Sequence, residues 1–220
     1  MTVHHHPSDE LLLDYASGAL GEAWSLAVAT HLALCPTCRR TVEKLEAVGG
    51  EILEKVAPEP VAESSFEAVM ARLQEIPATA AEAESPARGQ DGPFVLPQPL
   101  RDYVGGDVDD LHWQRLGLGA YQRLISTSGN GATARLLRIP AGKPVPTHGH
   151  RGKELTLVLC GAFTDTTGTY GRGDLQEADA ELEHQPLAAP KEDCICLAVT
   201  DAPLRFRSLA ARLVQPLLNI

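Results

Sequence analysis

His31, Cys35 and Cys38 stand in the pattern H-x3-C-x2-C. The run before Cys35, from Glu22 to Leu34, contains no Pro or Gly and is rich in Ala and Leu, which predicts a helix. On that helix His31 and Cys35 are i and i+4 and share a face. Pro36 cannot continue the helix but suits the first turn of a new one, so Cys35 falls at a corner. Cys38, in the next first turn, can point back at the other two. Two thiolates and an imidazole make most of a tetrahedral zinc site. The fourth ligand is sought among His4, His5 and His6 at the start of the chain. Two other readings compete. A thioredoxin-like Cys-x-x-Cys pair normally follows a strand, whereas here a helix precedes it, and buried inert thiols leave the matched His unexplained.

A second group lies in the other half of the chain. His148 and His150 are two apart at a predicted strand edge, so their side chains point the same way. Glu154 opens the next strand after the turn Arg151-Gly152-Lys153, which folds it back toward the pair. Two imidazoles and a carboxylate suit Zn, Fe, Mn, Ni or Cu, and His184 is the candidate fourth ligand. The competing reading is a barrel that keeps its fold without a metal. Cys194 and Cys196 alternate about Ile195 and share a strand face. Adjacent same-face positions do not readily form a disulfide, so core packing is favoured over a thiol sensor. Cys160 is read the same way, His112 as structural, and Arg39 and Arg40 as a solvated face.

These groups need elements to hold them. Ser8 is a good N-cap, with Asp9 and Glu10 behind it, for a first helix ending near Gly18. A second runs from about Gly21 to Leu34. A third starts at Pro36, with a weak point at Gly49-Gly50. So small a helical core commonly needs a metal staple. A fourth helix carries Phe66, Val69, Met70, Leu73 and Ile76 at helical spacing, capped by Ser64 or Ser65. It is expected to pack on the first three rather than to dock on a partner. Residues 77–99 are rich in Pro, Ala and small polar residues and read as a linker. From Leu100 short apolar runs punctuated by Gly, Pro and Asp predict an all-β sandwich or barrel. The expected organisation is a helical domain over 1–76, a linker over 77–99 and a β domain over 100–220.

The chain has 220 residues and a formal charge of −10. That length allows two modest domains. The charge disfavours direct binding to nucleic acid and suits a basic protein partner. No run approaches a membrane span, and the opening residues show no signal-peptide pattern, so a cytosolic protein is expected. Five cysteines in a reducing compartment point to metal binding or redox sensing rather than to a disulfide framework.

Two stretches carry a family resemblance. Gly142 to Gly161 resembles the first cupin motif, G-x5-H-x-H-x3-E-x6-G, without a gap. Gly173-Asp174 resembles the glycine of the second motif, with His184 standing for its ligand at a longer spacing. The opening His-x-Ser-Asp-x-Leu-Leu and the block around His31, Cys35 and Cys38 resemble the zinc-binding anti-sigma factors. Together with the Asp193 to Ala198 stretch, the chain resembles the ChrR type of that family over nearly its whole length. The resemblance implies a small helical anti-sigma domain followed by a cupin jelly-roll barrel. It implies His6 as the remaining N-terminal ligand, with His4 and His5 as solvated neighbours, and about two zinc ions per chain. It implies a cytoplasmic regulator of transcription, not an enzyme. Such a protein binds and inhibits an extracytoplasmic-function sigma factor, and releases it through the cupin domain under singlet oxygen or organic peroxide. The alternative is a cupin metalloenzyme, of oxygenase or isomerase type, with a helical regulatory domain. A metal store or sensor is a third reading.

Overall fold

The computed structural model of the protein describes residues 2–75, 94–117, 119–129 and 131–206. Helix α1 (Asp9–Ala16) starts where Ser8 caps it, the Ser8 side chain accepting from the Leu11 N–H. Helix α2 (Glu22–Leu34) ends at Cys35, and α3 (Pro36–Glu54) starts at the next residue, as the proline predicts. Gly49 and Gly50 do not interrupt α3. Arg39, expected on a solvated face, donates from Nε and Nη2 to the Leu32 carbonyl, closing carbonyls that the end of α2 leaves open.

Helix α2 is buried on almost every side. Val28 and Leu32 face a small core with Leu12, Val42 and the two cysteines. Ala23, Leu26 and Ala27 face a larger core with Leu136, Leu157 and Leu197 of the β region. A helix apolar all round must be covered all round, and α2 is covered by two cores. The described residues divide into two compact units, one joining the chain up to Gly49 with the chain from Phe94, the other beginning at Gly50. Leu96 and Leu100 are fully buried in the β core, so the chain rejoins that core before the predicted linker ends.

Helix α4 (Ser65–Glu75) lies in the second unit. None of its described residues is buried. Phe66, Val69, Met70 and Leu73 are 71%, 54%, 40% and 55% exposed. Ile76 lies outside the described residues.

Helix α5 (Gln98–Val104) and a 3-10 turn (Val108–Asp110) lead into the β region. Its strands are β1 (Gln114–Gly117), β2 (Ala120–Ile125), β3 (Thr133–Ile139), β4 (His148–Gly149), β5 (Glu154–Cys160) and β6 (Ala162–Asp165). They continue as β7 (Gly168–Gly171), β8 (Leu175–Ala178), β9 (Glu183–His184), β10 (Leu187–Ala188), β11 (Cys194–Thr200) and β12 (Arg205–Phe206). A six-stranded sheet runs β1-β2-β3-β11-β5-β8, with three-stranded sheets β10-β6-β7 and β12-β4-β9 beside it. All pairings among the described residues are antiparallel. The tight corner after β5 needs glycine: Gly161 has φ +65°, and a Cβ there would stand 2.5 Å from the Asp193 carbonyl oxygen. Among the described residues no helix is long and apolar enough to cross a membrane.

Candidate metal centres

The corner between α2 and α3 gathers the N-terminal group. Its metal-binding atoms, one each from His6, His31, Cys35 and Cys38, lie within 4.8 Å of one another. His6 Nδ1 is 3.4 Å from Cys35 Sγ and 3.3 Å from Cys38 Sγ. His31 is fully buried and its Nδ1 lies 2.9 Å from the Gly173 carbonyl oxygen. A carbonyl can only accept, so Nδ1 carries the proton and Nε2 keeps its lone pair. That Nε2 is buried with no hydrogen-bond partner among the described residues. An orphaned lone pair beside two thiols and a second imidazole is what a tetrahedral metal site requires. Burial pushes the His31 imidazole down to about 4, keeping it neutral at physiological pH. Burial and the neighbouring Cys35 push the Cys38 thiol up to about 12, so a bound cation must displace its proton. His5 does not stand free as expected. Its ring lies 4.3 Å from that of Tyr170, and its N–H donates to Asp174.

The barrel gathers the second group. His148 on β4 is the direct register partner of His184 on β9. The Nε2 of His184 lies 3.1 Å from that of His148 and 3.3 Å from that of His150. His148 Nδ1 donates to the Pro146 carbonyl at 2.9 Å, and His184 Nδ1 donates to Asp165 Oδ2 at 2.6 Å. Both Nε2 atoms therefore present lone pairs to each other across 3.1 Å. Bare lone pairs at that distance repel, and a cation among them removes the repulsion. Burial holds the His148 imidazole below its usual value, against the pull of Glu154. The structure thus brings His184 to the pair despite its irregular spacing. Glu154 is set behind His150: its Oε2 is 3.4 Å from His150 Nδ1, and its Oε1 accepts from the Thr156 hydroxyl at 2.8 Å. It is buried, and His150 and His148 outweigh that burial to hold its carboxyl below the usual range.

A cavity of about 80 Å³ opens over this group, with His148, His184, Glu154, Phe163, Cys194 and Cys196 in its wall. Cys194 and Cys196 are buried free thiols with sulfurs 3.6 Å apart. The bond to Cys194, with burial, pushes the Cys196 thiol far up, as a packed core thiol requires. Sequence reasoning missed Asp165 and Gln176. Asp165 orients His184, and Gln176 Nε2 donates to the same carboxylate oxygen at 2.8 Å. Neither sits at a motif position.

A helical segment carrying a candidate Cys2His2 metal cluster and joined to a cupin-like barrel with a histidine cluster defines a class of two-part regulators. The profile of the ChrR cupin-like domain matches residues 102–203. The anti-sigma-E factor ChrR of Cereibacter sphaeroides is 52% identical over 220 residues, covering all of both chains. The crystal structure of Rhodobacter sphaeroides SigE in complex with the anti-sigma ChrR matches with a TM-score of 0.77 at 49% identity. It covers 91% of this chain and 100% of that one. The chain belongs to the ChrR family of anti-sigma factors.

Proposed function

We propose that this chain binds and inhibits an extracytoplasmic-function sigma factor in the cytoplasm, and releases it under oxidative stress through its cupin domain. Full-length similarity to an anti-sigma factor whose relative is seen in complex with its sigma factor carries this reading. The exposed apolar residues support it. Phe66, Val69, Met70 and Leu73 on α4, with Val48, Ile52 and Leu53 on α3, are the kind of helical surface a partner covers. The formal charge of −10 suits a basic partner. The chain acts by binding rather than by catalysis.

The metal at both centres is zinc in this reading. His6 Nδ1, His31 Nε2, Cys35 and Cys38 hold the first. The Nε2 atoms of His148, His150 and His184 hold the second, and Glu154, expected from the sequence as a ligand, supports the His150 ring from behind. Bound zinc supplies a structural cross-link at the first centre and a modifiable ligand set at the second. Release begins in the barrel, where singlet oxygen or an organic peroxide alters a ligand of the second centre and loosens the hold on sigma.

Co-purification of the chain with its cognate sigma factor, followed by metal analysis, tests this. The expected result is a one-to-one complex with about two zinc ions per chain. An oxidant should dissociate that complex, and a His148→Ala variant should inhibit sigma but resist the oxidant. Metal without any sigma-sized partner would overturn the function, and normal release by the variant would overturn the role of the barrel.

A further inference from the structure

The N-terminal centre is not built by the helices alone. His31 Nδ1 donates to the carbonyl of Gly173, in the turn between β7 and β8. The segment carrying His6 is fastened to the barrel on both sides of that residue. Before it, the N–H groups of His4 and His5 donate to Asp174 Oδ1 at 2.6 Å and 2.9 Å, and the Leu175 N–H donates to the His5 carbonyl at 3.1 Å. After it, Ser8 donates from N and Oγ to the two carboxylate oxygens of Glu177 at 2.6 Å and 3.2 Å. The turn is fitted closely to its neighbour. Gly173 has φ +89°, and a Cβ there would stand 2.8 Å from Val3 Cγ2.

The same strand reaches the other centre. Gln176 on β8 donates to Asp165 Oδ2, the atom that takes the Nδ1 proton of His184. Beyond it, β8 pairs with β5 in a register that puts Ala178 opposite Glu154. Residues Gly173, Asp174, Gln176 and Glu177 therefore touch the supports of both histidine clusters within five positions. Residues that orient metal ligands from behind commonly change metal affinity tenfold or more. A displacement of β8 changes the orientation of His6 and His31 together.

We propose that strand β8 and the Gly173-Asp174 turn are a shared outer shell of the two centres, through which the state of the barrel cluster sets how tightly the helical cluster holds its metal. Asp174 is a positioning residue for His6, and Asp165 for His184. The barrel then acts on the helices without any residue of the helical segment meeting the oxidant. This rests on the reading of the two clusters as metal sites.

The test uses the full chain loaded with cobalt(II). Thiolate-to-cobalt absorption reports the helical cluster alone, because Cys35 and Cys38 are the thiols in either ligand set. A chelator is added and the decay of that absorption is followed. Asp174→Ala is expected to speed the decay about tenfold or more, and Asp174→Asn, which keeps an acceptor oxygen, less. Glu177→Gln, at an exposed contact that folding does not need, is expected to speed it several-fold. Asp165→Ala, which touches the barrel cluster, is expected to speed it too, with little added effect in the Asp174→Ala background. Ile139→Ala, which loosens the barrel in a core that holds no residue of α2 or β8, is the control. Unchanged decay in the Asp174 and Asp165 variants overturns the coupling, as does equal acceleration by the control. Absence of thiolate absorption in the wild-type chain overturns the metal reading itself.

Discussion

His31 joins protonation, folding and metal binding in one side chain. Its imidazole titrates near 4 in the folded chain because burial disfavours the cation. In an unfolded chain it titrates near the ordinary ~6.5. Between those values the unfolded state binds more protons, so stability is lost as pH falls from about 6.5 toward 4 and levels off below. The metal-free chain should lose up to about 3 kcal/mol across that window, at 1.4 kcal/mol per pH unit. Urea unfolding at a series of pH values checks this, and His31→Gln should remove that part of the slope. Asp165 makes a second prediction. Burial would raise its carboxyl, but the Gln176, Thr167 and His184 bonds hold it down to about 2. It stays charged behind His184, and Asp165→Asn, which weakens that support, should lower zinc affinity of the barrel cluster about 10- to 100-fold. Competition with a colorimetric chelator measures it. An unchanged affinity would separate Asp165 from the centre.

The helices and the strands differ in how much of them can be read from residue order. Helices α1 to α4 announce themselves through caps and spacing: Ser8, Gly21, Pro36 and Ser65 each stand at or beside the observed start. Helix α5 is hidden because Pro97 and Pro99 read as linker, although a proline in the first turn also starts a helix. Strands β4, β9, β10 and β12 are two residues long and carry no periodicity to find. Three N-terminal ligands are local and visible as H-x3-C-x2-C. His184 is not local, because its place opposite His148 is a product of sheet register. The side of α4 is also invisible, since helical spacing gives an apolar face without saying what covers it. Because that face is exposed, Phe66→Ala with Leu73→Ala should leave the melting temperature within about 2 °C, as surface changes do. The same variant should weaken sigma binding by at least about tenfold if this face is the docking surface. Calorimetry of the free chain and titration with sigma give the two readings. The first three helices should behave oppositely. Their own core is small, and zinc at such sites supplies folding energy on the order of 10 kcal/mol. Cys38→Ala should therefore strip hydrogen-exchange protection from α1 and α3.

The joining of helices to barrel decides how the molecule comes apart. A linker between independent domains would let each melt alone, and residues 77–99 read that way in the sequence. The apolar circumference of α2 already argues otherwise: Glu22 to Leu34 has few polar positions, too few for a helix with one wet side. In the structure Leu26 is 3% exposed and shares a core with Leu136, Leu157 and Leu197, while Val28 on the same helix serves the core of the metal cluster. Removing the Leu26 side chain leaves a cavity between helix and sheet. Leu26→Ala should cost about 3 kcal/mol, the range for a buried leucine. It should lower the melting of both parts together, since neither keeps its full core when the other leaves. Two probes follow this at once: thiolate-to-cobalt absorption for the helical cluster and hydrogen exchange at β11 for the barrel. Coincident transitions, shifted equally by Leu26→Ala, are the expected outcome. Loss of the cobalt signal well below the exchange of β11 would mean that α2 leaves the barrel intact. In that case the barrel could not act on the helical segment through packing, and the bonds to Gly173, Asp174 and Glu177 would be left as the route between them.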